Sequence, residues 1–306
     1  LSVLGKRMDH TRRRRFFILL SALFAASLLT ICMCAFRLKR KQADAVHFIP
    51  TWASEQDSEP YSIELPFEAL PPSDSFPWAA TVSHHLLAHG QIDALFREIA
   101  ARRKVRTFFI VSPSHWNLST KPWSLADVSW NAGSGRTTMT ERKTEAALAK
   151  ALGVSYDAQV FPLEHGITTL IPYIARYFPN ARVAAVAVGG EPPVNQSDAE
   201  KLTSALAPYF TRRNRKHNFL LISTDFSHLS DIKETARKDA SSRVFFDAPS
   251  KKTWIYAVCD NRPGIYALAH LIGEDTKCAL LFHTTSYELS GKGEDDITSY
   301  YFSLFY

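Results

Sequence analysis

The chain is poor in the residues that build thiolate metal modules. It has four cysteines in 306 residues. Cys32 and Cys34 sit inside an uncharged apolar run, and Cys259 and Cys278 form neither a CxxC pair nor zinc-finger spacing. A P-loop, a GxGxxG fingerprint and internal repeats are all missing, which removes the usual sequence signals for a phosphate cradle or a solenoid. Beyond residue 41 basic charge is also short. The formal net charge is +6, yet residues 1–41 hold ten of the 36 Lys and Arg and only one of the 30 acids, Asp9, so the other 265 residues carry −3. Nucleic-acid recognition needs concentrated positive charge, and the body of the chain does not supply it.

What the chain does have begins with residues 16–36, which are 21 apolar or small residues without a charge. As a helix they would extend about 31 Å, the thickness of a bilayer core. The apolar part of a cleaved signal peptide is shorter, about 7–15 residues, so the run reads as an uncleaved anchor. Six Lys or Arg precede it (Lys6, Arg7 and Arg12 to Arg15) and four follow (Arg37, Lys39, Arg40 and Lys41). That bias keeps the short N-terminus in the cytoplasm and puts the C-terminal domain outside it. If so, Cys259 and Cys278 have the option of a disulfide, unless Cys259 is a ligand. Residues 42–77 contain six prolines and read as a tether, with aromatic residues suited to packing on the domain.

From residue 78 onward, apolar strand-like runs alternate with helical patterns. Residues 107–111, 182–188 and 219–222 read as buried strands, and 279–282 and 299–305 as late ones. Residues 86–103, 141–152, 167–178, 231–246 and 262–272 read as helices, with Pro172 restricting the third. Ser197 with Glu200 has the form of a capping box, and residues 124–140 read as a loop turning at Asn131 and Gly133. The expected fold is α/β, a largely parallel central sheet flanked by helices.

Chemistry gathers where the strands stop. Residues 107–116, TFFIVSPSHW, run from an apolar strand to a proline and then His115. Residues 219–228, FLLISTDFSH, end in Asp225 and His228, and residues 78–85 end in His84 and His85. Parallel sheets place ligand chemistry at the carboxyl ends of their strands, so these residues are expected to share one site. Imidazole with thiolate and carboxylate suits iron, copper or zinc. His89 and His270 read as ordinary helix residues, while His283, after a late apolar run, suits either role.

Pro113-Ser114-His115, Glu164-His165-x-Ile167, Ser223-Thr224-Asp225-Phe226-Ser227-His228 and Cys259-x-x-Arg262-Pro263 resemble, in order, the signatures of the Memo family, which includes the bacterial AmmeMemoRadiSam system protein B. The resemblance covers residues 78–305. It implies a fold similar to class III extradiol dioxygenases and a metal pocket made by His84, His115 and Cys259, lined by Asp225, His228, Glu164 and His165. This chain has Ser83-His84-His85-Leu86 where the family usually has Pro-His-Ala-Gly, so His85 is an alternative ligand. Thr168 stands where the family has an acid, which weakens the transfer of a catalytic role. The expectation is a membrane-anchored Memo-like protein that holds iron or copper, with zinc also compatible, and does redox or dioxygenase-like chemistry. The alternative is a non-catalytic module that binds a peptide or small molecule in the same pocket.

Overall fold

The computed structural model describes the backbone of Phe48 and Ile49, together with residues 70–306 except 117, 118, 120 and 134. The expected anchor, residues 16–36, lies outside these. Among the described residues no helix is long and apolar enough to cross a membrane.

Eleven strands form the sheet: β1 (Phe48–Ile49), β2 (Ala79–Val82), β3 (Thr107–Pro113), β4 (Trp123–Leu125), β5 (Ser129–Asn131), β6 (Thr137–Thr140), β7 (Arg182–Val188), β8 (Asn218–Ser223), β9 (Phe226–Ser230), β10 (Cys278–Thr285) and β11 (Ile297–Phe305). Their order is β1-β5-β6-β7-β3-β8-β2-β11-β10, with β4 against β7 and β9 against β11. The centre is parallel: β2 pairs with β8, β8 with β3, β3 with β7, and β7 with β6. The β10, β11 and β9 side is antiparallel, as are β4 on β7 and β5 on β6. The sheet is therefore mixed rather than largely parallel. Residues 124–140, expected as a loop, contribute β4, β5 and β6. These strands are three or four residues long, too short for alternation to show in the sequence.

Among the described residues the α-helices are α1 (His89–Arg102), α2 (Arg142–Leu152), α3 (His165–Thr168), α4 (Ile171–Tyr177), α5 (Gln196–Leu206), α6 (Ile232–Asp247), α7 (Arg262–Leu271) and α8 (Ser286–Ser290). Successive residues of the central strands face opposite sides. Phe108, Ile110, Phe219 and Leu221 pack with Ile92 and Phe96 of α1 and Ile174 of α4. Phe109, Val111, Leu220 and Ile222 pack with Leu148 of α2, Leu202 of α5, Phe245 of α6 and Ile265 of α7. Burial on both faces is why β3 and β8 read as continuous apolar runs rather than as alternating ones.

Local chemistry sets the helix ends. Asp231 caps α6 by accepting from the Glu234 amide at 2.7 Å. The expected helix over 167–178 is two helices, and Pro172 falls in the first turn of α4, where its missing N–H costs nothing. The capping box at Ser197 does not form. Asn195 precedes α5 and makes no side-chain cap, so Ser197 lies inside the helix. The last residues of the expected tether rest on α1. Arg102 donates to the Pro71 and Pro72 carbonyls at 3.0 and 2.7 Å, and Arg103 lies over the Phe76 ring at 4.3 Å.

The parallel register positions the site. Val82 is level with Ser223, and Val111 with Ile222, so β2, β3 and β8 end together. Asn261, fully buried, staples that edge. Its amide donates to the Val111 carbonyl at 2.9 Å and the Ser223 carbonyl at 2.8 Å, while its carbonyl oxygen caps α7 through Gly264.

Candidate metal centre

Five side chains converge at this edge. The donor atoms of His84, His115 and His165 lie within 4.8 Å of one another, and so do those of His84, Asp225 and Asp260. The His84 and His115 rings are 4.8 Å apart, and those of His115 and His165 are 4.0 Å apart.

The hydrogen bonds of the two central histidines determine what they present. Ser223 Oγ donates to the Gly166 carbonyl, so its lone pair accepts from His84 Nδ1–H at 3.0 Å. That leaves His84 Nε2 with a lone pair directed at the carboxylates. Glu164, wholly buried, takes the His115 backbone N–H at 2.9 Å on one oxygen and Nδ1 at 2.6 Å on the other. His115 Nε2 is thereby turned inward as well. A carboxylate or hydroxyl that fixes the imidazole tautomer from behind in this way is the usual support of a metal-ligating histidine.

Both Nε2 atoms face the same atom. Asp260 Oδ2 lies 3.4 Å from His84 Nε2, 3.6 Å from His115 Nε2 and 3.4 Å from His228 Nε2. These distances are long for hydrogen bonds. They suit ligands around one ion, because bonds of about 2.1 Å put neighbouring ligand atoms about 3.0–3.4 Å apart. Asp260 Oδ2 and Asp225 Oδ1 are buried with no hydrogen-bond partner among the described residues. Two imidazole lone pairs set against a carboxylate repel unless a proton or a cation lies between them.

Without a cation, protons do that work. Burial pushes His84 and His228 down, but the carboxylates of Asp225 and Asp260 outweigh it and hold both above the usual histidine value. His115 is pushed up to about 9, burial being outweighed by Asp260 and Glu164. Asp260 is held well below the usual carboxylate range; burial opposes this, and the three histidines prevail. Glu164 is likewise lowered, His115 and two backbone amides outweighing its burial. His165 goes the other way, down to about 4, through burial and the charges of His84 and His115. It is the neutral imidazole of the group.

Two expected ligands lie elsewhere. His85 follows His84 in extended backbone, so its ring points to the other side, where Nδ1 bonds the Tyr300 hydroxyl. Cys259 bridges to Phe226 in an antiparallel pair and packs on the apolar cluster beneath the site. Alternation then turns the next residue, Asp260, toward the histidines. Burial, with Asp260 beside it, pushes the Cys259 thiol up to about 12, and the cysteine belongs to neither converging group. It is also free, as is Cys278, so the optional disulfide is not formed.

The remaining expected residues are all at this edge. His228 reaches Asp260 from β9, where Ser227 and Leu229 on either side adopt positive φ of 42° and 51°, a conformation rare for residues with a Cβ. Sequence reasoning missed Asp260 and Asn261, which fill the unspecified positions of Cys259-x-x-Arg262. An acid adjacent to a suspected ligand in an extended stretch is the available signal. Gly166 is needed for close approach, since a Cβ there would lie 2.1 Å from Ser112 Oγ and 3.2 Å from the His115 ring.

Residues 85–294 match the model of a family described as Memo-like protein, about two thirds of the chain. The chain belongs to this family. It is similar to a MEMO1 family protein of Pyrobaculum arsenaticum, 25% identical over 223 residues that make up 69% of this chain and 76% of the relative. It also resembles one from Thermotoga petrophila, 23% identical over 64% of this chain and 70% of the relative. A third, from Caldivirga maquilingensis, is 22% identical over 46% and 49%.

Proposed function

We propose that this Memo-like chain holds one divalent metal ion, Fe(II) before copper, at the carboxyl edge of β2, β3 and β8. The observation that carries this reading is the buried, unpartnered Asp260 Oδ2 with His84 Nε2 and His115 Nε2 at 3.4 and 3.6 Å. Two imidazoles and one carboxylate with open positions is the donor set of non-haem Fe(II) oxygenases. With Cys259 outside the group, the thiolate that favours Cu(I) is missing from it. A metal so held would supply a Lewis acid and a one-electron couple to a small ligand in the open positions.

The chain's own residues divide the remaining tasks. Glu164 and Ser223 fix the ring tautomers of His115 and His84. His165, neutral and packed at a tilt against His115, offers a lone pair as a further ligand or as a base for a bound hydroxyl. His228, about two-fifths exposed, stands at the entrance and can exchange a proton with solvent. Thr224 Oγ1 and the Asp225 backbone N–H, both buried, orient Asp260 by donating to its Oδ1 at 2.9 and 3.0 Å.

Residues 16–36 tether this domain to a membrane in our reading, with the domain on the extracytoplasmic side; the support is the length of the run and the charge bias around it. The test is metal analysis of the full chain after anaerobic incubation with Fe(II), Cu(I) or Zn(II) in turn, beside Asp260→Ala. About one Fe(II) per chain that the variant does not retain is the expected result. Tight zinc or copper with no iron overturns the choice of metal, and no stoichiometric metal overturns the site. A chain starting at Gln42 that still partitions with lipid overturns the tether.

A further inference from the structure

On the antiparallel side of the sheet a second histidine meets a second buried aspartate. His283, on β10, sets Nε2 at 2.8 Å from Asp239 Oδ2 of α6. The other Asp239 oxygen accepts from Ser227 Oγ at 2.7 Å and from Ser299 Oγ at 2.5 Å. Tyr301 donates to the Asp239 backbone carbonyl at 2.9 Å, and its ring lies 4.4 Å from that of His283. The carboxylate is thus fully engaged and its orientation fixed. Because Nε2 faces an acceptor, it carries the proton, and Nδ1 is left with a lone pair.

That nitrogen has no protein partner among the described residues. His283 lines a cavity of about 540 Å³ between α6, β10 and α8, within the size range of small-molecule sites. Ile232, Ile297 and Tyr301 supply apolar and aromatic wall. Thr235, which also lines the cavity, is 3% exposed, and its hydroxyl is sealed behind the wall. The charges at the rim are already paired: Arg243 with Asp247 at 2.6 Å, and Glu288 with the Thr285 amide at 2.8 Å in the α8 cap. What the cavity leaves open is one lone pair and an apolar wall. An unfilled acceptor on the wall of a space of ligand size calls for a neutral molecule that brings its own donor.

We propose that this cavity is a second ligand site, separate from the metal centre, which binds a small neutral phenol-class molecule. The ring lies against Tyr301 and Ile297, and the hydroxyl donates to His283 Nδ1. None of these residues belongs to the His84 group, so the site stands or falls independently of the metal reading.

The test uses the full chain with ring-¹⁵N histidine, titrated with 4-methylphenol and with 4-fluorotoluene, which has nearly the same shape but no O–H. The expected result is saturable binding of 4-methylphenol that moves the His283 ring nitrogens while leaving those of His84 and His115 in place. Binding of 4-fluorotoluene should be about tenfold weaker, the value of one hydrogen bond in such a site. His283→Phe should erase the preference between the two probes. Ile232→Lys, which alters an exposed residue at the cavity wall and spares the core, should weaken both. Equal affinity for the two probes, an unchanged preference in His283→Phe, shifts confined to the His84 group, or no response at all would each overturn the proposal.

Discussion

Asp260 and Asp239 are both largely buried aspartates facing histidine, and they differ in spacing. Around Asp239 three donors stand at 2.5–2.8 Å and both oxygens are satisfied. Around Asp260 Oδ2 three imidazole nitrogens stand at 3.4–3.6 Å and none is a hydrogen bond. The first arrangement is closed and orients His283. The second leaves room for a cation, and the protein maintains that room by fixing the His84 and His115 rings from behind, through Ser223 and Glu164. A gap of less than 1 Å separates a structural dyad from a candidate ligand set.

The sharpest way to break the comparison is to delete each carboxylate. Asp260→Ala should reduce metal from about one ion per chain to near zero, since losing a ligand and its charge empties such a site. Asp239→Ala should leave metal content intact and instead lower stability by about 3 kcal/mol, because it strands two buried serine hydroxyls and an imidazole. Elemental analysis and denaturant unfolding of both variants read the two effects. Metal loss in Asp239→Ala, or metal retained in Asp260→Ala, would remove the distinction.

A smaller effect is expected one layer out. Gly166→Ala places a methyl against Ser112 and His115 and must displace the Glu164 brace. Metal affinity should fall about 10- to 100-fold, as it does when the support of a ligand histidine is disturbed. Titration with a competing chelator measures it, and unaltered affinity would mean that the brace is not needed.

These expectations were unequally legible in the sequence. The central strands and α6 showed because two-sided burial and an Asp cap leave local marks in residues 107–111, 219–222 and 231. The histidines at strand ends showed for the same reason, through a parallel register that brings β2, β3 and β8 to one line. Pairing direction in β10 and β11 was not legible, because an apolar run does not state its partner's orientation. Asp260 and Cys259 could not be separated either. Which of two adjacent residues faces a pocket depends on the bridge from Phe226 to Cys259, a contact distant in sequence.

The third test uses pH. In the folded, metal-free chain His115 keeps its proton until about pH 9, whereas an ordinary histidine releases it near 6.5. A raised value means that its contribution to stability is complete below about pH 6.5 and is lost as pH climbs to about 9. A cation needs Nε2 bare, so metal affinity should rise over that same window and uptake should release protons. Thermal melts of metal-free chain at pH 6.5 and 9, with metal titrations in two buffers, check both slopes. Parallel slopes would show that His115 is not a ligand. Asp260→Ala, which removes the carboxylate facing His115 Nε2, should flatten both trends.

The smallest effect comes from a third buried carboxylate, which neither faces a cation gap nor is fully bonded. Glu145, 1% exposed in α2, accepts the Ala185 N–H at 2.7 Å with one oxygen and has no hydrogen-bond partner among the described residues for the other. Burial, with the Asp127 charge adding to it, raises its pKa well above the usual value of 4.5. Glu145 therefore stays protonated in the fold after it would ionise in the unfolded chain. Its contribution is intact below about pH 4.5 and is lost as pH rises toward the folded value. Glu145→Gln keeps the shape and the accepted hydrogen bond without the charge. At pH 5 the substitution should change stability by less than about 1 kcal/mol, as a near-isosteric neutral exchange. Between pH 5 and 8 the variant should lose less stability than the parent, so the two denaturant midpoints diverge in its favour. Identical slopes would show that Glu145 is charged in the fold, and burial alone would then not decide its state.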